Sequence, residues 1–161
     1  MSLPSSSSIS GQKYDVFLSF RGEDTRQKFT DHLCAALERK GIVPFKDDLQ
    51  LEAGEEIAPE LSKAIQESWC SVIVFSKTYA FSSWCLNELV QIVQQRNKRG
   101  HKIFPIFYDV DPSDLRQQTG RVDEAFAKHE QRYKESKDKI KRWRTALTEV
   151  AKIKGFCSSN R

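Results

Sequence analysis

A glutamate and a tryptophan lie about one helical turn apart in the segment SSWCLNEL, residues 82–89. Apolar residues recur there at helical spacing, and Glu88 falls on the margin of the apolar stripe, where Trp84 can cover it. A half-buried carboxylate beside an indole costs free energy unless it is paired or used. Glu88 is therefore a candidate catalytic acid; the alternative is a first-turn carboxylate favoured only by the helix dipole.

Two arginines flank a second predicted helix start, in the segment FRGEDTR at residues 20–26. Gly22 suits a tight turn after a strand, and the residues behind it suit a helix N-cap. Arg26 would place positive charge in the first turn, against the helix dipole. Together with Arg21 it predicts an anion site, for example for a phosphate. The segment matches neither GxGxxG nor the P-loop pattern.

The cysteines and histidines predict no metal site and no hydrolase triad. The cysteines form no CxxC pair and lie in or beside apolar segments, which indicates reduced core thiols in an intracellular protein. No histidine has ligand-like spacing to a cysteine. These residues are Cys34, Cys70, Cys85, Cys157, His32, His101 and His129.

Composition limits the classes of protein that the chain can belong to. A length of 161 residues with 39% hydrophobic content fits one globular domain. Residues 1–12 are serine-rich and are predicted to be a disordered leader, with the domain at 13–157 and a tail at 158–161. The longest apolar run, residues 103–108, is strand-sized, so we expect no membrane span. We expect a cytoplasmic protein, with the nucleus as a second compartment.

The net charge of +4 is modest, because 26 basic and 22 acidic residues mostly interleave. A basic run from Lys128 to Arg144 has apolar positions at helical spacing, which predicts an amphipathic surface helix. Nucleic-acid binding through this helix is a minority alternative that we do not expect.

Short apolar runs alternate with helical patterns along the chain. The predicted strands are Tyr14–Phe20, Ile42–Phe45, Ser71–Phe75 and Ile103–Tyr108, and the last three look buried on both faces. The predicted helices are Thr25–Lys40, Glu55–Ser68, Ser83–Arg99, Arg121–Lys134 and Asp138–Lys152. This alternation predicts an α/β fold of the flavodoxin-like kind, a three-layer sandwich with a central parallel sheet and helices on both faces.

Ligands of such sheets bind beyond the carboxyl ends of the strands. The segments predicted to meet there follow the strands at residues 21–26, 47–54, 76–83 and 109–114. Glu88 lies in the helix that the third segment enters. The loop at 47–54 is charged and could be a lid, a docking surface or only a solvated loop.

The motifs together resemble the TIR domain of plant intracellular immune receptors, over about residues 14–156. The segments that carry this resemblance are YDVFLSFRGEDTR, DDLQLEAGEEI, SVIVFS, SSWCLNEL, IFPIFYDVDPSDLRQQTG and RWRTAL. The resemblance implies a sheet of five parallel strands, of which the sequence places four. It also implies self-association with other TIR domains through two surfaces, within the remainder of an NB-LRR type receptor or as a short TIR protein.

The resemblance further implies that the assembled domain cleaves NAD⁺, or NADP⁺ as a second candidate, at the nicotinamide bond without a required cofactor. Glu88 matches the family's catalytic glutamate. The nucleotide-binding positions implied are Arg21, Gly22, Arg26 and Trp84. The loop over the site contains Asp47, Asp48, Gly54 and Ile57.

The chain departs from the family pattern at both self-association surfaces. Asp31-His32 stands where the first helix commonly has Ser-His, and a carboxylate in a packed contact must lose its hydration. Gly120 matches the second surface, but Arg121-Val122 replaces the usual Ser-Phe. We therefore expect weak self-association of the domain alone.

A single carboxylate is chemically sufficient for this reaction. O-glycosidases usually use two carboxyl groups because the leaving oxygen needs a proton. Nicotinamide in NAD⁺ is already a pyridinium and leaves as a neutral base, so the barrier lies mainly in the cationic ribose, which one carboxylate can stabilise. The competing hypothesis is a non-catalytic interaction module that signals only through oligomerisation.

Overall fold

The computed structural model describes residues 14–21, 29–46 and 59–158. Several predictions on residues fall outside this range: the leader at 1–12, the end of the tail, and the roles of Gly22, Arg26, Asp47, Asp48, Gly54 and Ile57. The described strands are β1 (Tyr14–Ser19), β2 (Pro44–Lys46), β3 (Ser68–Phe75), β4 (Lys102–Tyr108) and β5 (Phe156–Ser158). The described α-helices are α1 (Asp31–Arg39), α2 (Pro59–Gln66), α3 (Ser83–Arg99), α4 (Pro112–Gln117), α5 (Arg121–Arg132) and α6 (Lys137–Ala151).

The strands form one five-stranded parallel sheet in the order β2-β1-β3-β4-β5. The chain passes from β1 to β2 on one side and then crosses to β3 on the other side of β1. The strand order therefore reverses between β1 and β3, where open α/β sheets bind their ligands. The flavodoxin-like prediction is confirmed.

Two apolar cores cover the two faces of the sheet. The larger contains Phe17, Ile73 and Phe107 from the strands, packed under α2, α3, α5 and α6. The smaller contains Val16, Leu18, Phe20 and Val74, with α1 packed against it. Alternation along β1 explains the division, because successive side chains of a strand point to opposite faces.

The fifth strand, which the sequence did not locate, is Phe156–Ser158, and it pairs with the second half of β4. Its shortness and partial polarity hide it from pattern analysis. Two of its residues are exposed, so the prediction that Cys157 is a core thiol is wrong. Cys85 is buried, and Cys34 and Cys70 are partly buried.

Three other predictions need correction. Strand β3 begins at Ser68 rather than Ser71, because pairing with β1 from Tyr14 onward extends it back to the last residue of the predicted helix. Strands β2 and β4 are not buried on both faces, since every residue of β2 is only partly buried and Phe104 of β4 is 50% exposed on the face opposite the larger core. The predicted helices omit α4, a short helix after β4, where Asp111 accepts the backbone N–H of Ser113 and caps the first turn.

Helix α3 begins and ends at the predicted residues. The hydroxyl of Ser82 accepts the backbone N–H of Cys85 at 3.1 Å, which caps the first turn. Gly100 ends the helix at φ 69°, a left-handed conformation that glycine adopts without steric cost. Across the described ranges, no helix is both long and apolar enough to span a bilayer.

Candidate functional site

Glu88 lies at the carboxyl edge of the sheet, near the reversal of strand order. It is the sixth residue of α3 and therefore lies in the second turn, where the helix dipole has largely decayed. The first-turn interpretation of this carboxylate is thus wrong. The residue is 0% exposed, where the sequence suggested half-burial. A carboxylate at this depth needs hydrogen bonds from the protein.

The side chain that meets Glu88 is a serine from the last residue of β1. The Ser19 hydroxyl donates to Oε1 of Glu88 at 2.8 Å, and both residues are fully buried. The hydroxyl of Tyr79 lies 2.7 Å from the same serine oxygen. It also lies 3.2 Å from the backbone carbonyl oxygen of Cys85. The carboxylate is therefore one end of a buried row of hydroxyl groups.

Tyr79 comes from the 3-10 helix Tyr79–Phe81, which connects β3 to α3. Its ring packs edge-on against Phe75 with centroids 5.0 Å apart. Burial, followed by the nearby Cys85 and Glu88, raises the pKa of Tyr79 well above its usual value. The phenol therefore keeps its proton at physiological pH and remains a hydrogen-bond donor.

Trp84, which the family resemblance assigns to nucleotide binding, is 4% exposed and belongs to the larger core. Its neighbour Cys85 is also buried, and Sγ of Cys85 donates to the carbonyl oxygen of Phe20 at 3.4 Å. This contact joins the start of α3 to the end of β1. The first turn of α3 is thus packed into the sheet edge.

Arg21, predicted to hold a phosphate, follows directly after this edge. Its Nη1 donates to the carbonyl oxygen of Thr78 at 3.1 Å, so one amino group of the guanidinium is engaged within the chain. The contact ties the segment after β1 to the segment after β3. Arg21 is therefore placed beside the loop that carries Tyr79, at the same edge as Glu88.

Two surface cavities lined by described residues include neither Glu88 nor Trp84 in their linings. One of about 870 Å³ lies between α2, α3 and α6, and includes Lys63, Arg142 and the edge of Trp143. Another, of about 420 Å³, lies beyond β3 and β4 and includes Lys77 and Asp109. No group of three or more residues of the metal-ligating types could hold a metal ion within the described ranges.

The predicted self-association residues lie on helices that pack against opposite faces of the sheet. Asp31 opens α1, and Nζ of Lys46 donates to its carboxylate at 3.1 Å. His32 is exposed beside it. Gly120 precedes α5 at φ 61°, a left-handed conformation that explains glycine at this position, and Arg121 begins the helix. All four residues lie at the surface, and the two on α1 belong to a different surface from the two at the start of α5.

Sequence analysis missed Ser19 and Tyr79. A signal for Ser19 was present: Phe17 and Ser19 share the core face of a strand whose neighbours are apolar. A polar residue at such a position needs a partner. No comparable signal marks Tyr79, because the segment after β3 has no periodicity.

The sequence matches the family described as TIR domain over residues 13–161. Among curated relatives, disease resistance protein RPV1 of Vitis rotundifolia is 62% identical over 143 residues, covering 89% of this chain and 10% of the relative. TMV resistance protein N of Nicotiana glutinosa is 52% identical over 157 residues, covering 98% of this chain and 14% of the relative. The chain therefore spans only a small part of these relatives.

A solved structure with a similar chain is that of the TIR domains in the activated Roq1 resistosome, described as directly recognizing the pathogen effector XopQ. The superposition has a TM-score of 0.81 with 52% sequence identity, and it covers 90% of this chain and 87% of that chain.

Proposed function

The chain belongs to the TIR domain family, and on this premise we propose that it is a plant immune signalling domain that self-associates and hydrolyses NAD⁺ at the bond between nicotinamide and ribose. The two curated relatives described above are disease resistance proteins. The proposed partners are other TIR domains and the remainder of an NB-LRR receptor in the cytoplasm or nucleus.

The observation that carries the proposal is the buried carboxylate of Glu88 at the carboxyl edge of the sheet. Burial of an acid is unfavourable, and packing alone would favour an apolar residue at this position. A fold that retains a carboxylate at its ligand-binding edge, with a hydroxyl donor aimed at it, has the features of a prepared electrostatic site.

In the proposed reaction the nicotinamide leaves as a neutral base, because it enters as a pyridinium. The developing positive charge on the ribose is stabilised by the Glu88 carboxylate, and water then adds to the ribose carbon and releases one proton to solvent. No second carboxyl group is needed to protonate the leaving group. A fixed carboxylate in a site that excludes water stabilises this charge more than it would in bulk water.

The depth of Glu88 supports dependence on assembly. The substrate can reach a fully buried carboxylate only if neighbouring segments move. Association with a second copy can supply the free energy for that change if the open form binds its neighbour better. The similar chain in the Roq1 resistosome belongs to an assembly, which supports the same expectation.

The contacts of Asp31 bear on the strength of self-association. The ion pair with Lys46 lies partly in water, so its contribution to stability is below about 1 kcal/mol. The pair must nevertheless be desolvated if α1 packs against another copy. We therefore expect the isolated domain to assemble weakly and to act only at high concentration.

Substrate binding is proposed to involve Arg21 and Arg26 on the diphosphate, Gly22 for close backbone approach, and Trp84 near the nicotinamide ribose. The guanidinium of Arg21 carries five N–H donors in a planar fork, a geometry that suits the oxygens of a diphosphate. Trp84 reaches a substrate only after the same opening that exposes Glu88. The loop with Asp47, Asp48, Gly54 and Ile57 is proposed to close over the site. NADP⁺ remains a second candidate substrate.

The test is nicotinamide release by purified protein across a concentration series, with light scattering on the same samples. We expect release to rise more steeply than protein concentration and to disappear in Glu88→Gln, which keeps the shape of the side chain. Equal release by Glu88→Gln would refute the catalytic role. Assembly without release in the wild type would favour the interaction module, which the burial of Glu88 also fits.

A further inference from the structure

The row of hydroxyl groups at Glu88 contains more hydrogen-bond contacts than it has hydrogens. The contacts are Glu88 Oε1 to Ser19 Oγ at 2.8 Å, Ser19 Oγ to the Tyr79 hydroxyl at 2.7 Å, and the Tyr79 hydroxyl to the Cys85 carbonyl oxygen at 3.2 Å. A serine and a tyrosine each supply one hydrogen, and an ionised carboxylate supplies none. We call these groups the hydroxyl chain.

When Glu88 is ionised, the hydroxyl chain points toward the carboxylate. Ser19 donates to Glu88, and Tyr79 donates to Ser19. The Cys85 carbonyl then receives no hydrogen from Tyr79. Two hydrogen bonds in series are made, and each strengthens the other by polarisation.

When Glu88 takes one proton from solvent, the chain can reverse. The carboxyl group donates to Ser19, Ser19 donates to Tyr79, and Tyr79 donates to the carbonyl of Cys85. All three contacts are then hydrogen bonds. The same heavy-atom positions therefore fit two proton arrangements, which differ by one proton and by the direction of donation.

The surroundings favour a chain that operates as one unit. Ser19 and Tyr79 are both 0% exposed, so neither can exchange its partner for water. Cys85 and Glu88 from α3 are the titratable groups whose nearby charge acts on Tyr79. From the end of β1, Arg21 binds the carbonyl of Thr78, directly before Tyr79.

We propose that Ser19 and Tyr79 are positioning residues for Glu88: donation along the hydroxyl chain holds the carboxylate ionised and oriented for its role. Tyr79 acts only through Ser19, because its hydroxyl contacts the serine oxygen and not the carboxylate in the contacts described. The part of this proposal that concerns turnover rests on the proposed function.

The first test measures the protonation of Glu88 directly, without any activity. Protein with carbon-13 in its glutamate carboxyl groups is titrated by NMR, and Glu88→Gln identifies the signal. We expect Ser19→Ala to raise the titration midpoint by about one pH unit, because the bond that Ser19 makes to the charged carboxylate is stronger than the bond that it makes to the neutral acid. Tyr79→Phe should raise it by less, and the double variant should match Ser19→Ala alone.

The matched control is Ser71→Ala. Ser71 is also a buried strand serine bonded to a titratable side chain, but its partner is His101. We expect this variant to leave the Glu88 midpoint unchanged. An unmoved midpoint in Ser19→Ala, or additive shifts in the double variant, would overturn the proposal. If Ser19→Ala does not fold, Tyr79→Phe decides the question, since it removes a single oxygen, and an unmoved midpoint there also overturns the proposal.

The second test measures nicotinamide release against pH in the same variants. We expect the acid limb of the kcat profile to move with the midpoint and KM to change little. Higher turnover in Ser19→Ala than in the wild type would overturn the positioning role, because it would mean that the hydroxyl restrains the carboxylate. If the Glu88 midpoint shifts in the variants but the wild type releases no nicotinamide, the proposed hydrolase function is refuted. The effect of the hydroxyl chain on the protonation of Glu88 is then still supported.

Discussion

The two ends of α3 carry the same kind of pair in two different settings. At its beginning, Ser19 of β1 binds the carboxylate of Glu88. Beyond its end, Ser71 of β3 lies 2.8 Å from Nε2 of His101. All four side chains are buried. One pair lies at the carboxyl edge of the sheet, and the other lies where β4 begins.

The second pair is electrically neutral. Burial, followed by the nearby charge of Arg99, lowers the pKa of His101 to about 4. Nδ1 of His101 has no hydrogen-bond partner among the described residues. A buried acceptor without a partner is tolerated better than a buried donor, so the hydrogen belongs on Nε2, which donates to Ser71.

The edge around His101 is closed by short connections. Only Gly100 and His101 separate α3 from β4. Arg99 donates to the backbone carbonyls of Ile65 and Gln66, which covers the end of α2. Among the described residues, the connections at this edge are therefore too short to move aside for a ligand. At the other edge, the strand-to-helix segments are longer, and they surround a carboxylate.

The difference teaches that a buried polar pair is not by itself a functional signal. At the closed edge, a neutral pair satisfies hydrogen bonds in a packed core. At the edge where the strand order reverses, the pair includes an acid and continues into a chain of hydroxyl groups. The setting of the Ser19–Glu88 pair therefore points to chemistry, and the setting of the Ser71–His101 pair points to stability.

The largest expected effect is a loss of activity when the carboxylate near the beginning of α3 is removed. Glu88→Gln should reduce nicotinamide release by at least about 100-fold, as is typical when a stabilising charge is removed from a transition state. Its fold should be retained, because the amide fills the same volume. Release assays with circular dichroism on each variant check this. A residual rate within tenfold of the wild type would contradict a catalytic role for Glu88.

Ser71→Ala should show the opposite pattern. Removal of the hydroxyl leaves Nε2 of His101 buried without its partner, which should lower the free energy of unfolding by about 1–3 kcal/mol. Turnover per folded molecule should stay unchanged. Urea unfolding at pH 7.5 gives the stability, and any change in the rate at full folding would contradict a purely structural role for this end.

The histidine also predicts a pH dependence of stability. Its pKa is about 4 in the folded chain and about 6.5 when unfolded, so the unfolded state binds more protons between these values. The contribution is fully present above pH 6.5 and declines as the pH falls toward 4, by at most about 1.4 kcal/mol per pH unit.

The measurement is urea unfolding of the wild type and of His101→Gln at several pH values from 7.5 to 4.5. The wild-type free energy of unfolding should fall more steeply with acid than that of the variant. Parallel curves would show that His101 is not the group responsible.

The smallest effect on the free energy of unfolding is expected at the ion pair of Asp31 and Lys46, which lies partly in water. This pair tests whether burial determines how much a polar contact contributes to stability. Asp31 and Lys46 interact in water at 3.1 Å. Asp31→Ser should change the free energy of unfolding by less than about 1 kcal/mol. It should strengthen self-association, because less charge must be desolvated. Thermal unfolding and light scattering test both, and weaker association in the variant would argue against α1 as a contact surface.

Much of the fold could be predicted because its causes are local. Periodicity set β1, α3 and the order of the elements, and the caps at Ser82 and Gly100 set the ends of α3. Alternating strands and helices permit few arrangements, so the parallel sheet followed from the pattern alone. Strand β5 escaped detection because three residues are too few for a periodic signal.

The candidate site could also be predicted only in part from the sequence. The spacing of Glu88 and Trp84 marked a carboxylate at the sheet edge, since helix geometry fixes which residues share a face. Only the tertiary structure showed that Glu88 is completely buried and binds Ser19, 69 positions away, and that Ser19 in turn contacts Tyr79 on the connection before α3. Such partners are brought together by the crossover between strands, and hydrogen-bond contacts over that separation leave no periodic trace in the sequence.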